Sequence, residues 1–175
     1  ASGELHTKIW KGLQEFGDVG LIDSAKTRMH LAQAEGCSPI VEAYELNSTQ
    51  VRPVKPNTIA KSLAIGNPAD GYYVIKVVTG SGGYGASASD SEILDAVKLL
   101  AQTEGIFTEA AGGVVISGLK QLAESGRIKP DEPTVVYITG NGLKTQEVVS
   151  DIVHPLVIQP TMEGFEKALQ ATGKA

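Results

Sequence analysis

The residues best placed to bind a ligand directly follow the most apolar run of the chain. Residues 134–139, Thr-Val-Val-Tyr-Ile-Thr, predict a buried parallel strand, and two spaced glycines, Gly140 and Gly142, come after Thr139. Glycine lets a backbone approach a ring or a phosphate, and a threonine hydroxyl can donate or accept a hydrogen bond. An open α/β sheet places its ligand at such a strand end, although an ordinary tight turn also fits the motif.

The chain start and one glutamate offer two further candidate sites. Ser2-Gly3-Glu4-Leu5 leads into a predicted helix, and the free N–H groups at a helix start can bind an anion. Any helix capped by a serine shows the same pattern. Glu109 follows a predicted strand at 106–108 and precedes a glycine-rich segment. Its carboxylate therefore either contacts a ligand or caps the next helix, and capping is the default interpretation.

Composition and spacing exclude several other kinds of chemistry. The 175 residues carry a net charge of −5, which argues against a nucleic-acid partner because phosphates demand a basic patch. No apolar run approaches the roughly 20 residues that span a bilayer, and the single cysteine, Cys37, rules out an intrachain disulfide. The three histidines lack metal-site spacing, and no serine stands in a Gly-x-Ser-x-Gly elbow.

Hydrophobic periodicity predicts the elements that must position these groups. Helices and strands alternate along the chain, which indicates an α/β fold with an open twisted sheet and helices on both faces. The N-terminal helix, ending at Gly17, is expected to bury one apolar stripe, and the Gly80–Gly85 segment is expected to be a flexible turn. The predicted strands are 29–34, 72–78, 106–108, 134–139 and 156–158, and the other predicted helices begin at Ser38-Pro39, Ser89, Gly112 or Gly113, and Met162.

Several short motifs resemble, in order, those of the threonine synthase family. They are Trp10-Lys11-Gly12, Gln-Ala-Glu-Gly-Cys-Ser-Pro at 33–39, Ile-Gly-Asn-Pro at 65–68, Glu-Gly-Ile-Phe at 104–107 and Thr-Gly-Asn-Gly-Leu-Lys at 139–144. The segment Glu109-Ala110-Ala111-Gly112-Gly113 is similar to a further family motif, and the match runs from residue 1 to about residue 150. The resemblance implies the large α/β domain of a fold-type II enzyme dependent on pyridoxal 5′-phosphate (PLP).

The resemblance also implies a reaction and a set of cofactor-binding residues. The family is a group of lyases of threonine biosynthesis that convert O-phosphohomoserine and water to threonine and phosphate, with PLP as electron sink. Carried over to this sequence, the loop 1–5 would bind the cofactor phosphate, and Thr139, in the loop 139–144, would face the pyridine nitrogen. The expected cofactor-binding residues are Ala1, Ser2, Gly3, Glu4, Leu5, Ile65, Gly66, Glu109 and Thr139.

Some features depart from the family pattern and leave alternatives open. Glu4 and Leu5 are not the usual small or amide residues of the phosphate loop, and no lysine here stands in the Schiff-base motif. We therefore expect residues 1–175 to be the C-terminal portion of a longer cytoplasmic enzyme, a homodimer when complete, and this portion alone to be inactive. Threonine dehydratase, cysteate synthase and a non-catalytic small-molecule-binding α/β module are the alternatives.

Overall fold

The computed structural model describes residues 1–23, 26–151, 154 and 156–171. Among these residues two strands are each preceded and followed by helices, and short 3-10 turns lie at Lys61–Leu63, Gly142–Lys144 and Gln146–Val149. In chain order the elements are α1 (Glu4–Asp18), β1 (Leu31–Ala34), α2 (Pro39–Glu45), α3 (Gly71–Ser81), β2 (Gly85–Ala88), α4 (Asp90–Glu104), α5 (Ala110–Glu124) and α6 (Met162–Ala171). None of the helices described is long and apolar enough to cross a membrane.

The sheet is small and parallel, with helices on both faces. β1 pairs with β2 from Leu31 opposite Gly85 to Ala34 opposite Ala88. Because side chains alternate across a strand, Leu31 packs into a core with α2 and α3, whereas Ala34 packs with α4 and α5. The predicted α/β class with helices on both faces is confirmed, and the sheet has two strands within the described residues.

The predicted strand at 72–78 is wrong, since these residues lie in α3. The buried residues of α3 are Gly71, Val74, Ile75 and Val78, a helical spacing of three and four. Packing of that face against α2 overrides the β-propensity of its valines and isoleucine.

The Gly80–Gly85 segment, predicted to be a flexible turn, contains the end of α3 and the start of β2. Gly82, with φ at +72°, ends α3 in the left-handed conformation, and Gly85 begins β2. Gly83 lies so close to the Met29 backbone that a Cβ would overlap the Met29 carbonyl. These glycines therefore bring the end of α3 directly against the segment that enters β1.

Three further strand predictions lack a strand in the structure. At 106–108 the only pairing is a single bridge from Thr108 to Asn141. Residues 134–139 and 156–158 are in neither a helix nor a strand, and Val157 is 99% exposed. A strand needs a hydrogen-bonded neighbour, and neither segment pairs with another strand among the described residues.

Two details of the helices also differ from expectation. The α1 stripe is not buried, since Leu5 is 58% exposed and Phe16 is 51% exposed. Ser38 stands at the N-cap of α2 but makes no capping bond. The side-chain oxygen of Gln33 caps this helix instead, accepting from the Ile40 and Val41 N–H groups at 2.9 and 3.0 Å.

Candidate functional site

A cavity of about 1000 Å³ lies between α1, β1, α5 and the extended segment at 133–139. The first five residues of the chain line one part of it, and Thr139 lines it too. Apolar side chains of α1 and α5 make up much of the remaining wall. The structure thus brings together two candidate sites that lie about 135 positions apart in the sequence.

The start of α1 presents free donors in this cavity. The first helical hydrogen bond runs from the Thr7 N–H to the Gly3 carbonyl at 3.1 Å. The N–H groups of Glu4, Leu5 and His6 therefore have no acceptor within the helix, and no side chain caps them. Together with the helix dipole, these donors make an anion site that suits a phosphate group.

Contacts with α3 hold the loop before α1 in place. Gly3 has φ at +98°, a left-handed conformation, and a Cβ there would lie 2.6 Å from Val74 Cγ2. The Asp70 N–H donates to the Ser2 carbonyl at 2.9 Å. The Thr7 hydroxyl donates to Asp70 Oδ2 at 2.7 Å. Glycine at position 3 is therefore required both by its φ angle and by the close approach to α3.

Glu4 is the one carboxylate in the first turn of α1. Its side chain is exposed, and Oε2 accepts a hydrogen bond from the Ser2 hydroxyl at 3.1 Å. A carboxylate beside an anion site weakens phosphate binding by repulsion, which solvent screens when the side chain is exposed. The departure from the family pattern at this position thus affects the cofactor site less than a buried acid would.

Thr108 and Glu109 hold the loop after residue 139 through hydrogen bonds to one of its carbonyls. The Thr108 hydroxyl donates to the Gly140 carbonyl at 3.0 Å, and the Glu109 N–H donates to the same oxygen at 3.2 Å. Glu109 is buried and makes no capping bond to α5. Its carboxylate lies against Gly140, where a Cβ would overlap it. Glu109 therefore supports the loop that presents the exposed Thr139 to the cavity.

Ile65 and Gly66 are not among the residues that line the cavity. Gly66 is buried against the Val54 backbone, where a Cβ would overlap the Val54 carbonyl, and its own carbonyl accepts from the Val54 N–H at 2.9 Å. Ile65 is 38% exposed. Close backbone packing is thus the observed reason for the glycine in this motif.

Two histidines without metal-site spacing, His6 and His30, also line the cavity. His6 Nε2 is 3.2 Å from the His30 carbonyl, and Nδ1 of His6 is buried without a recorded partner. His30 Nδ1 accepts from the Tyr84 N–H at 3.2 Å. Burial lowers the pKa of both rings, and the charge of Arg28 lowers the His30 pKa further. The neutral forms of both histidines therefore fit this structure. The sequence signal for His6 at this site is its position in the first turn of α1.

Comparison with known proteins identifies the class to which this architecture belongs. A sequence profile for the family described as "Pyridoxal-phosphate dependent enzyme" matches residues 1–140. The chain therefore belongs to the family of pyridoxal-phosphate dependent enzymes. A fungal L-serine ammonia-lyase from Rhizomucor miehei has the same fold, with a TM-score of 0.66 over 87% of this chain and 48% of that chain, at 21% identity.

The similar curated proteins include threonine synthases. The one from Methanocaldococcus jannaschii is 40% identical over 164 residues, which are 93% of this chain and 40% of that protein. The one from Methanosarcina acetivorans is 36% identical over 170 residues, 96% of this chain and 42% of that protein. The chain thus spans about two fifths of the length of these relatives, and the resemblance to this family seen in the motifs is confirmed.

The residues present fit the cofactor of this family. The free N–H groups of Glu4, Leu5 and His6 suit its phosphate, and the left-handed Gly3 directly precedes them. The Thr139 hydroxyl lines the same cavity and can pair with a ring nitrogen. The pairing of an anion site with a hydroxyl in one cavity is what a phosphorylated pyridine requires.

Proposed function

We propose that this chain is the part of a threonine synthase that binds the phosphate and one edge of PLP. The complete enzyme then converts O-phosphohomoserine and water to threonine and phosphate. The observation that carries this proposal is the meeting of the α1 start and Thr139 in one cavity. The threonine synthases from two archaea, matched over more than nine tenths of this chain, support this activity over the alternatives.

In this proposal each residue has a distinct task. The N–H groups at the start of α1 bind the phosphate, with Ala1 to Leu5 forming the loop around it. Thr139 places a neutral hydroxyl at the pyridine nitrogen, which leaves that nitrogen less protonated than a carboxylate would. The family resemblance would place Ile65 and Gly66 beside the cofactor ring, although they do not line the cavity here, and Glu109 would lie near the ring edge, where it supports Gly140. When bound, the cofactor supplies an electron sink for carbanionic chemistry.

The proposed reaction also needs a lysine that forms a Schiff base with the cofactor. Lys8, Lys11, Lys61 and Lys144 are all exposed and stand outside the Schiff-base motif of the family. We therefore propose that the lysine belongs to the rest of the enzyme and that residues 1–175 alone are inactive. The complete enzyme is proposed to be a cytoplasmic homodimer.

The test is a comparison of two substrates with the complete protein that carries this chain. Inorganic phosphate is measured after addition of O-phosphohomoserine, and ammonia is measured after addition of threonine. We expect PLP-dependent phosphate release that exceeds ammonia release by orders of magnitude. Ammonia release without phosphate would support a threonine dehydratase instead, and release of neither product would contradict both of these activities and support cysteate synthase or the non-catalytic binding module.

A further inference from the structure

The first turn of α1 is tied to the start of α3 through a single residue, Asp70. Its carboxylate accepts the Thr7 hydroxyl at 2.7 Å, and its backbone N–H donates to the Ser2 carbonyl at 2.9 Å. Its own carbonyl accepts the Val74 N–H at 2.9 Å, the hydrogen bond that starts α3. Asp70 thus bonds Ser2 before the left-handed Gly3 and Thr7 after it. Its own position is fixed by the first hydrogen bond of α3.

The Thr7 hydroxyl favours the carboxylate over its other acceptor. It lies 3.1 Å from the Glu4 carbonyl and 2.7 Å from Asp70 Oδ2. A hydroxyl has one proton to donate, and the shorter bond to a charged acceptor is the stronger one. The hydroxyl therefore links the first turn of α1 to α3.

These contacts fix the direction of the free donors. The Thr7 N–H closes the first helical hydrogen bond to Gly3, so the turn that Thr7 anchors carries the N–H groups of Glu4 to His6. A Cβ added at Gly3 would lie 3.2 Å from Asp70 Cβ, so Asp70 is also packed against the loop before α1. Movement of Asp70 would therefore change the aim of all three donors together.

Resting on the proposed function, we propose that Asp70 is a positioning residue for the cofactor phosphate and acts through Thr7. Its carboxylate is engaged by the Thr7 hydroxyl, so it contributes by holding donors and makes no contact with the phosphate itself. An anchor of this kind affects affinity for the phosphate group specifically, because the donors at the start of α1 are the groups it orients.

The experiment compares the dissociation constants of PLP and of unphosphorylated pyridoxal in the complete synthase. Thr7→Val removes the hydroxyl at nearly constant volume, Thr7→Ser keeps it, and Asp70→Asn weakens the acceptor. We expect T7V and D70N to bind PLP about tenfold more weakly than the wild type, pyridoxal affinity to stay unchanged, and T7S to stay close to the wild type. Both substitutions act on the same hydrogen bond between Thr7 and Asp70. The T7V/D70N double variant should therefore bind PLP no more weakly than T7V.

Two matched variants on α4 control for the loss of a hydroxyl and of a charge. Thr103→Val removes an exposed threonine whose hydroxyl bonds the Leu99 carbonyl, and Asp95→Asn neutralises an exposed aspartate. Both should bind PLP as the wild type does. If T7V fails to fold, D70N and T7S carry the test.

The outcomes separate this proposal from the one on which it rests. PLP affinity unchanged in D70N and T7V, or PLP and pyridoxal affinity weakened equally, would overturn the positioning role. A wild-type protein that binds PLP no more tightly than pyridoxal would instead contradict the proposed phosphate site.

Discussion

Among single residues, Gly140 has no room for a side chain beside the candidate site. Its carbonyl is shared by Thr108 and Glu109, and the Glu109 carboxylate occupies the space where a Cβ would stand. The exposed Thr139 directly precedes it. The position of the Thr139 hydroxyl therefore depends on Gly140 having no side chain.

Gly140→Ala should destabilise the chain by about 1–3 kcal/mol, because the new methyl must displace a buried carboxylate. Gly80→Ala is the matched control, since Gly80 lies exposed in α3 with open space around its Cβ position. There alanine should be neutral or stabilising by up to about 1 kcal/mol. Urea unfolding of the two variants measures both effects, and equal midpoints would show that Glu109 yields without cost.

The histidine pair predicts a loss of stability in mild acid. Burial lowers the pKa of His6 and of His30 in the folded chain, so the unfolded chain binds more protons. Stability should therefore rise with pH and be lost as the pH falls below the ordinary histidine value of about 6.5. Arg28 lowers the His30 pKa as well, whereas Glu132 raises it and so reduces the effect.

The measurement is the urea midpoint between about pH 7.5 and about pH 5.5, on either side of the ordinary histidine pKa. His30→Asn keeps an acceptor for the Tyr84 N–H, and His6→Gln keeps a donor for the His30 carbonyl. The double variant should show a flatter pH dependence than the wild type. His154→Gln, which removes an exposed histidine, should keep the wild-type slope; the same slope in all three proteins would contradict the assignment.

Among the elements, α2 shows how a helix start can be satisfied from outside its own segment. The Ser38 hydroxyl points to the Glu35 carbonyl and the Glu42 carboxylate. The free N–H groups of Ile40 and Val41 instead donate to Gln33, which comes from β1 and is 3% exposed. This cap joins the edge of the sheet to the helix packed upon it.

Gln33→Met should cost about 1–3 kcal/mol in the free energy of unfolding, because it leaves two buried donors without their acceptor. Gln102→Met provides the comparison, since Gln102 is exposed on α4. Thermal or urea unfolding measures the difference between the two variants. A cost at position 33 no larger than that at position 102 would mean that the cap adds nothing.

Local signals predicted some elements closely and others not at all. α4 is capped at its start by Ser89, whose capping box with Glu92 is observed, and at its end by the left-handed Gly105, so its signals all lie within one segment. α3 was mistaken for a strand because its valines favour β-structure, although its helical spacing is visible in the same residues. Strand pairing and the Gln33 cap depend on residues far away in the chain, which periodicity does not reveal.

The candidate site was predictable to a similar degree. The anion site proposed at Ser2 to Leu5 follows from the pattern of a helix start, and the structure has an uncapped helix start there. That Thr139 shares its cavity followed only from the family resemblance, because no local signal joins positions so far apart. The support of Gly140 by Glu109 and the link from Thr7 to Asp70 are side-chain contacts that the sequence did not indicate.

At the scale of the whole molecule, the cavity accounts for the exposed stripe of α1 and for the unpaired segment at 134–139. Leu5, Ile9 and Leu13 of α1 line it together with residues of that segment. The chain also spans about two fifths of the length of the archaeal threonine synthases. The share of the proposed enzyme that we assign to this chain is therefore the binding of the phosphate end of the cofactor.

The most direct test of that claim is the PLP dissociation constant of the complete protein with Gly3→Ala, compared with Gly12→Ala. Gly3, just before α1, has a left-handed φ and no room beside Val74, whereas Gly12 lies within α1 with open space at its Cβ position. We predict that G3A weakens PLP binding by at least about tenfold and that G12A binds as the wild type does. Equal PLP affinity in the two variants would contradict a phosphate site at the start of α1.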